Sequence, residues 1–560
     1  MDRVETTKEI LECYEEIVID TTLNSELAVA FTLYEKNFVL ICPDENNMAS
    51  RAMIYVLNEE DFNYPHIMLR EVPIKEGRGL PAGNYRMICL YEQDTLIASL
   101  QTFEEKITDV IDRLIILMTL TPLEIEHEFQ KEFMFYWNSV ASEKKVHLYI
   151  GQKDSFTKLS VYQKNDEVRY VAQDILLNDI HECNKSKKVW QERVDYAAFY
   201  IPITDRREII PSHCGKRWGL EEVHNVIYGK RISHISRETF LLLKQEIINA
   251  REIALVFEMD TDNMPVTFVV KITCKNNSAK TLYEKIMEDA IEVEAMRSVR
   301  NDYYTLNSKI GNSCNAIGKT ALLVGAGSLG SYVATELAKN GFNKIKIYDS
   351  DKLTEENTMR WVYGGWLNGL AKPSAIKILL EQCHPEINIE AVNKNLETTD
   401  LQKEIEQVDL IIFTVGSTDV QLQMNRLLKS MKCSVPVIYV WLEAGGQYSH
   451  ILTVDYKEKG CFECLYTDQQ GTMINNKVNL NAEAISEQNI LRNGCGGTRA
   501  AYGTAILLRT IAVLLETLKQ IFEYNVMESA LIDITPVEVS NMGQVFVAEG
   551  CRCCGNRNIE

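Results

Sequence analysis

The chain has 560 residues, which is enough for about three or four domains of ordinary size. Apolar residues make up 46% and charged residues 25% of the sequence, and these values exclude a wholly disordered chain and a small disulfide-stapled fold. The formal net charge is −20, from 59 basic and 79 acidic residues. Because a general nucleic-acid binder needs a basic face, we expect no direct nucleic-acid partner.

The sequence contains no apolar run long enough for a transmembrane helix, so we expect no membrane partner. The segment Met1–Ile10 is charged and lacks the apolar core of a signal peptide. We therefore expect a cytoplasmic protein whose 15 cysteines are mostly reduced thiols.

Residues 1–145 predict an α+β domain. The segment Leu27–Cys42 alternates apolar and polar residues, as strands do. Thr102 lies three residues before Glu105, which is typical of a capping box at the start of a helix. The predicted helices are Ile10–Ile19, Thr102–Leu120 and Thr121–Ser139.

Residues 146–295 predict a mixed α/β domain that carries no chemical motif, so we interpret it as a linker domain. The predicted strands are Val146–Ile150, Leu159–Lys164, Ile253–Met259 and Val266–Cys274. The predicted helices are Arg237–Ala250 and Lys280–Val299.

Residues 296–560 carry the strongest signals. The apolar run Thr320–Val324 predicts a buried parallel strand, and a Gly-x-Gly-x-x-Gly turn with Gly325, Gly327 and Gly330 follows it directly. A helix to Lys339 and a strand Lys344–Tyr348 come next, and Asp349 ends that strand. This is the pattern of a Rossmann-like βαβ unit that binds a nucleotide, because glycines and a helix N-terminus admit phosphate and the acid suits a ribose hydroxyl.

The glycine turn alone fits both NAD in a dehydrogenase and ATP in an adenylating enzyme. Downstream lie Asn357, Arg360 and Lys372, and two cations near a mononucleotide site suit a triphosphate and its pyrophosphate leaving group. Either cation by itself is most simply an ordinary surface residue. Together they favour ATP.

Four cysteines form two pairs with metal-ligand spacing. Cys461 and Cys464 make one pair, and Cys551 and Cys554 make the other. Two such pairs in a chain without disulfides suit tetrahedral Zn²⁺, whereas one pair would fit a redox site as well. Cys553 is a spare thiol that would substitute for either member of the second pair.

The C-terminal region resembles the ThiF/MoeB and ubiquitin-activating superfamily. The resemblance rests on Val324–Gly330, Asp349–Asp351, Asn357-x-x-Arg360 and Gly369-x-x-Lys372. It implies that the glycine loop and Asp349 bind ATP with Mg²⁺, and that Asn357, Arg360 and Lys372 contact ribose and phosphates. It also implies a homodimer in which an upstream arginine, here Arg300, reaches the ATP of the partner subunit, and a structural zinc held by the cysteine pairs.

The sequence departs from this family at the expected magnesium ligand. The family has an acid just after the strand predicted at Leu410–Thr414, but here the stretch Val415–Thr418 follows, and the nearest acid is Asp419. Either this loop is reshaped or the metal is held differently.

Cys495 lies between glycines just before a predicted helix, Arg499–Lys519. Such a position exposes a thiol and favours its thiolate. In the resembling family this position holds the cysteine that attacks the acyl-adenylate; the alternative is a small packing residue in a turn.

The N-terminal domain resembles a ubiquitin-conjugating enzyme. The segments Tyr64–Ile67 and Arg86–Leu90 carry this resemblance, which makes Cys89 the acceptor of a thioester. The His-Pro-Asn triplet of the eukaryotic enzymes is absent, since Gly79–Pro81 stands in its place, so the oxyanion donor is open. Asn84 lies nearer the cysteine than the usual asparagine, and the other candidates are Tyr85, Arg86 and His66.

A conjugating-like domain ahead of an activating-like domain resembles the fusion proteins of bacterial anti-phage operons called CBASS. The resemblance implies that a protein with a small C-terminal residue, a cGAS-like nucleotidyltransferase, is adenylated, passed to Cys495, then to Cys89 and finally to a target amine on another protein. Three alternatives remain open: a sulfur-carrier adenylyltransferase, a dimeric scaffold with a degenerate nucleotide site and, more remotely, an NAD dehydrogenase.

Overall fold

The structure is a computed structural model that describes residues 2–22, 25–44, 46–57, 64–71, 85–91, 98–181, 190–213, 216–261, 264–311, 314–478, 490–493 and 497–555. The chain divides into two compact units. The first unit comprises Met1–Gln173 and Trp190–Arg300, and the second comprises Asp174–Val189 and Asn301–Glu560. Among the described residues, no helix is both long enough and apolar enough to cross a bilayer.

The first part of the first unit is an antiparallel sheet with helices packed on it. Its strands are β1 (Ile17–Ile19), β2 (Ala28–Leu33), β3 (Lys36–Ile41), β4 (Met53–Leu57), β5 (Ile67–Glu71) and β6 (Tyr85–Ile88), in the order β1-β2-β3-β4-β6-β5. The helices α1 (Arg3–Leu11) and α2 (Phe103–Met118) pack on this sheet, and α3 (Pro122–Lys131) and α4 (Phe133–Val140) follow. The sheet contributes Phe31 and Leu40 to a core that Ile107 and Ile111 of α2 complete. Phe133 and Trp137 of α4 pack into the core of the other sheet of this unit.

The helix α2 begins where the capping pattern predicts it. The hydroxyl of Thr102 accepts the N–H of Glu105 at 3.2 Å, and the Glu105 carboxylate accepts the N–H of Thr102 at 2.7 Å. The helix predicted over Ile10–Ile19 is wrong, because α1 ends at Leu11 and β1 pairs with β2. The β-branched run Ile17–Ile19 favours a strand once a neighbouring strand is available to pair with it.

The rest of the first unit is a second sheet whose strands close on themselves. The strands of this part are β7 (Ser142–Tyr149), β8 (Thr157–Lys164), β9 (Glu167–Ala172), β10 (Gln191–Glu192), β11 (Tyr196–Ile203), β12 (Ile247–Ile248), β13 (Glu252–Met259), β14 (Val266–Cys274), β15 (Lys280–Thr281) and β16 (Ala290–Arg300). In the described residues the order of the second sheet is β10-β8-β11-β13-β14-β16-β7-β9, and β8 also pairs with β9. Its helices are α6 (Leu220–Tyr228), α7 (Arg237–Gln245) and α8 (Leu282–Glu284), and Lys285–Asp289 is a π-helical turn.

The helix predicted over Lys280–Val299 is wrong in its second half. Helical structure ends at Asp289, and Ala290–Arg300 is a strand that pairs with β14 on one side and β7 on the other. These pairings on both sides override a local sequence with good helix formers. A domain boundary at residue 295 falls inside this strand.

The second unit is built on a doubly wound sheet. Its strands are β17 (Thr320–Val324), β18 (Lys344–Tyr348), β19 (Asn388–Val392), β20 (Leu410–Phe413), β21 (Val437–Leu442), β22 (Ser449–Val454), β25 (Ala530–Ile534) and β26 (Val539–Gly543), and β23 (Ile490–Asn493) pairs with β24 (Gly497–Ala500) in a separate ribbon. Its helices are α5 (Asn178–His181), α9 (Tyr303–Ser308), α10 (Ser328–Lys339), α11 (Lys372–Cys383), α12 (Leu401–Ile405), α13 (Thr418–Ser430) and α14 (Thr504–Phe522).

The topology of this sheet determines where a ligand binds. The strand order is β19-β18-β17-β20-β21-β22-β25-β26, and the first five strands are parallel. Both faces are covered, since Leu323 of β17 packs with α10 and α14 while its neighbour Leu322 packs with Met424 of α13. The order reverses between β17 and β20, and open sheets of this kind bind ligands at the carboxyl ends of the strands at that point.

Candidate functional site

The glycine loop between β17 and α10 lies at this reversal point. Gly325 has φ +101°, and its N–H donates to the carbonyl of Tyr348 at 2.8 Å. A Cβ on Gly330 would lie 2.0 Å from the carbonyl oxygen of Gly325, so a side chain is excluded there. A Cβ on Gly327 would meet no atom within 4 Å, which shows that Gly327 faces open space. Packing therefore requires two of these glycines, and the third leaves room above the loop.

Asp349, at the end of β18, holds the glycine loop in place. One carboxylate oxygen accepts the N–H of Ala326 at 2.7 Å, and the other accepts the N–H of Asp351 at 2.8 Å. The Asp349 side chain is 13% exposed. The carboxylate predicted to contact a ribose thus also fixes the backbone of the loop that would receive the phosphates.

Lys372 brings a buried cation to the same edge of the sheet. It is the first residue of α11, and its side chain is 10% exposed. Its ammonium lies 2.7 Å from a carboxylate oxygen of Asp351 and 4.0 Å from one of Asp349. Because the Asp351 carboxylate is mostly exposed, this ion pair holds the ammonium at the carboxyl edge of the sheet without burying a second charge deeply.

The segment that carries Asn357 and Arg360 is tied to the glycine loop. The side-chain oxygen of Asn357 accepts the N–H of Thr354 at 3.0 Å and caps a short 3₁₀ turn. The backbone carbonyl of Arg360 accepts the hydroxyl of Ser328 at 2.8 Å. The indole N–H of Trp361 donates to the carbonyl of Ala326 at 3.1 Å. The structure therefore brings the Gly325–Gly330 loop, Asp349 and Lys372 together at the carboxyl ends of β17 and β18, a region we call the crevice, and it ties the backbone of the Asn357–Arg360 segment to the same loop.

The two cysteine pairs come together on the face of the sheet that α13 covers. The four Sγ atoms lie within 4.8 Å of one another, with distances of 4.0 Å for Cys461–Cys464, 3.8 Å for Cys461–Cys551 and 3.3 Å for Cys464–Cys554. Tetrahedral zinc with Zn–S bonds of ordinary length places its sulfurs ~3.8 Å apart. The donor set and its spacing thus fit a closed structural zinc site.

Comparison with known proteins agrees with this architecture. Residues 316–546 match the model of the ThiF family. This part of the chain is a ThiF domain.

The relatives match only part of this chain. Ubiquitin-like modifier-activating enzyme 5 of Bombyx mori is 29% identical over an alignment of 156 residues, and the match covers 26% of this chain and 39% of that protein. The uncharacterized protein y4oA of Sinorhizobium fredii is 30% identical over an alignment of 129 residues, and the match covers 20% of this chain and 22% of that protein. The chain thus spans well under half the length of these relatives. Among solved structures, E. coli MccB with ATP has a TM-score of 0.33 at 18% identity, and the match covers 45% of this chain and 70% of that chain.

One buried residue of the ThiF domain belongs to the cysteine cluster although its sequence setting did not single it out. The side-chain amide of Asn425, on α13, donates to the Sγ of Cys461 at 3.5 Å and to the Sγ of Cys553 at 3.3 Å. Its carbonyl oxygen accepts the N–H of Phe462 at 3.0 Å. The available signal was a polar residue at a core-facing position of an amphipathic helix.

Three other predictions for the ThiF domain concern Cys495, the helix that follows it and Asp419. Cys495 lies outside the described residues. The helix predicted to start at Arg499 begins at Thr504, because Gly497–Ala500 pairs with Ile490–Asn493 instead. Asp419 is exposed in the first turn of α13, so it does not directly follow β20.

Arg300 lies in the first unit, at the end of β16. Its guanidinium pairs with the Glu258 carboxylate and donates to the carbonyl of Gly151 at 2.6 Å. These contacts leave its side chain 10% exposed. The contact between Arg300 and the ATP of a partner subunit therefore stays a prediction.

Cys89 has an exposed thiol just beyond the end of β6. Its N–H donates to the carbonyl of His66 at 2.7 Å, and its Sγ lies 3.5 Å from the carbonyl of Tyr91. The strand β6 ends at Ile88, one residue before Cys89. Of the oxyanion-donor candidates, Asn84 lies outside the described residues.

Proposed function

We propose that the chain is an ATP-dependent activating enzyme that adenylates the C-terminal carboxylate of a protein. The observation that carries this proposal is the Lys372 ammonium, held by Asp351 beside the glycine loop of a ThiF domain. The name of the Bombyx mori relative, a ubiquitin-like modifier-activating enzyme, supports the same class of reaction. A dehydrogenase needs no such cluster of cations beside its nucleotide, whereas a triphosphate does.

In the proposed adenylation, a carboxylate oxygen of the protein attacks the α-phosphorus of ATP, and the bond to pyrophosphate breaks. Lys372 and Arg360 stabilise the negative charge that develops on the phosphates, and the N-terminus of α10 adds its backbone N–H groups. Mg²⁺ bound with ATP would neutralise further phosphate charge. Either a reshaped loop or another group would hold it, because the nearest acid after β20, Asp419, lies in the first turn of α13. Asp349 keeps the glycine loop in the conformation that would bind the phosphates.

We further propose a relay between two cysteines. The Cys495 thiolate attacks the acyl carbon of the adenylate, and AMP leaves. The Cys89 thiolate then attacks the resulting thioester, and the Cys495 thiolate leaves. A target amine finally attacks the Cys89 thioester, loses a proton, and releases the Cys89 thiolate. Thiol-to-thiol exchange is nearly isoenergetic, so these steps need accessible thiolates more than a strong base.

The proposed substrate is a cGAS-like nucleotidyltransferase that ends in a small residue, acting in anti-phage defence. The support for this substrate is the resemblance of the N-terminal domain to a conjugating enzyme, ahead of a ThiF domain. The proposed assembly is a homodimer with Arg300 near the partner's ATP. Light scattering at about twice the chain mass is the expected result, and a fully active monomer would contradict both the assembly and the role of Arg300.

The test uses a purified cGAS-like nucleotidyltransferase that ends in a small residue. It is expected to stimulate ATP–pyrophosphate exchange, and the same protein without its last residue is the control. Cys495→Ala is expected to retain exchange and to form no thioester, whereas Cys89→Ala traps the substrate on Cys495. Conjugation that persists in Cys89→Ala would remove the N-terminal domain from the pathway and favour a sulfur-carrier adenylyltransferase.

A further inference from the structure

The loop that precedes β5 is tied both to Cys89 and to the helix pair α3–α4. The carbonyl of His66 accepts the Cys89 N–H at 2.7 Å, and the N–H of His66 donates to the hydroxyl of Tyr136. His66 has φ +69°, a conformation that non-glycine residues adopt at an energetic cost. Surrounding contacts therefore have to hold the residue that fixes the Cys89 backbone.

Those contacts come from charged side chains on the two helices. The His66 ring lies between two carboxylates, with Nε2 3.4 Å from Glu128 and Nδ1 3.4 Å from Glu132. The same Glu132 oxygen accepts the Tyr136 hydroxyl at 3.0 Å. Lys131 pairs with the other oxygen of Glu128 at 2.5 Å. Because both ring nitrogens face carboxylates, the imidazole is arranged to hold the loop rather than to donate to an oxyanion.

We propose that His66, Glu132 and Tyr136 are positioning residues that fix the Cys89 thiol for acyl transfer. This inference rests on the proposed function, since it assumes that Cys89 accepts a thioester. Tyr136 is 2% exposed, and its hydroxyl accepts the His66 N–H. A shift of α4 would therefore also move the loop that carries His66. The three residues act through the His66 backbone, which meets the Cys89 amide directly, and none of them needs to touch the acyl group.

The electrostatics of the network give it a pH dependence. Burial alone would lower the pKa of His66, but hydrogen bonds and charges from Glu132 and Glu128 outweigh it and raise that pKa. Burial would likewise raise the pKa of Glu132, but the hydrogen bond and charge of His66 lower it. Burial, and then the charge of Glu132, raise the pKa of Tyr136, so its hydroxyl stays protonated; Cys89 and Lys131 are the other ionisable groups around the network.

The direction of the pH dependence of the network follows from these two pKa shifts. A histidine with a raised pKa contributes its full stabilisation below its unfolded value, and the contribution is lost as the pH rises through the raised value. A glutamate with a lowered pKa contributes above its unfolded value, and that contribution is lost as the pH falls through the lowered value. The network is therefore intact between the ordinary pKa values of glutamate and histidine, and it loosens as the pH rises through the raised pKa of His66.

The experiment uses the full chain and a probe that bypasses the ThiF domain, the thioester of N-acetylglycine with 2-mercaptoethanesulfonate. The Cys89 thiolate attacks the carbonyl carbon of the probe, a new C–S bond forms, and mercaptoethanesulfonate leaves as a thiolate. Acylation of Cys89 is measured by peptide mass spectrometry relative to Cys13, another exposed thiol of the same unit. The ratio corrects for the general rise in thiolate with pH.

The variants are Tyr136→Phe and His66→Gln, with Tyr170→Phe as the matched control. Tyr170 is also buried, and its hydroxyl lies 2.6 Å from the hydroxyl of Tyr196. We expect the two network variants to lower the Cys89-to-Cys13 ratio on the order of tenfold, because a small displacement of a reacting atom already slows a transfer. The control is expected to leave the ratio unchanged.

The pH profile of the unaltered chain tests the proposal without any substitution. The ratio is expected to fall as the pH rises through the raised pKa of His66, and His66→Gln is expected to remove that fall. Equal ratios in the unaltered chain and both network variants would overturn the positioning role while leaving Cys89 as an acceptor. A Cys89 that is acylated no faster than Cys13 in the unaltered chain would overturn both.

Discussion

The cysteine cluster offers a direct prediction, because it joins two segments that lie far apart in sequence. Cys461 and Cys464 lie in the 3₁₀ segment after β22, and Cys551 and Cys554 lie near the end of the chain. Zinc bound by all four would therefore cross-link the C-terminal segment to the sheet. We expect Cys551→Ser to lower zinc content and to destabilise the second unit.

The magnitude follows from the length of chain that the cross-link closes. Cys464 and Cys551 are 87 positions apart, the difference of their sequence numbers. By the chain-entropy relation used for disulfides, closing a loop of this length is worth about 4 to 5 kcal/mol. Loss of the cross-link should lower the melting temperature by roughly 10 °C for a unit of this size.

The assay combines metal analysis with thermal unfolding. Cys433→Ser is the matched control, since Cys433 is also buried in the same core but lies outside the cluster. We expect the unaltered chain and Cys433→Ser to bind one zinc per chain, and Cys551→Ser to bind weakly. A fully stable chain that holds no zinc would refute the cross-link. A large loss of stability in Cys433→Ser with zinc retained would attribute the effect to burial alone.

The remaining predictions concern the nucleotide crevice. Lys372→Ala and Arg360→Ala are expected to lower ATP–pyrophosphate exchange by about a hundredfold or more, while the melting temperature changes little. Lys377→Ala serves as the control, since Lys377 lies on α11 with Lys372. Normal exchange in Lys372→Ala would contradict the proposed nucleotide site. Gly330→Ala should cost about 3 kcal/mol or more, because its Cβ would lie 2.0 Å from a backbone oxygen. Gly327→Ala should leave the unfolding free energy nearly unchanged and weaken exchange, because its Cβ would enter open space at the crevice; equal unfolding free energies for the two glycine variants, measured by denaturant titration, would contradict this reading of the loop.

The meeting of the glycine loop and Asp349 could be predicted from the sequence because both follow elements with strong local signals, whereas their binding of a nucleotide stays a prediction. A continuous apolar run fixed the strand before Gly325, and the acid at Asp349 follows the next strand directly. Carboxyl ends of parallel strands meet at one edge, so the sequence order sufficed to bring these residues together. The cysteine pairs were readable for a similar reason, since metal-ligand spacing is a local property.

Other features depend on pairing that local sequence does not encode. The strand Ala290–Arg300 contains good helix formers, and its extended form follows from neighbours on both sides, β14 and β7. The His66 network depends on helices that lie more than fifty residues further along the chain. Asn425 likewise became part of the cysteine cluster through packing of α13. In each case a distant contact outweighs the local preference.

Exposure is the property that separates the roles of the cysteines, and it could not be obtained from their spacing. Burial raises the pKa of Cys314 to about 11, and burial also raises the pKa of Cys42, Cys274 and Cys433, so these thiols stay protonated and unreactive in the core. Among the described residues, the exposed thiols are those of Cys13, Cys89 and Cys383. Of these three, Cys89 alone has its backbone amide fastened to a loop that a charged network holds in a strained conformation. A thiol that merely fills surface space needs no such support, whereas an acceptor in acyl transfer needs both access and a fixed position.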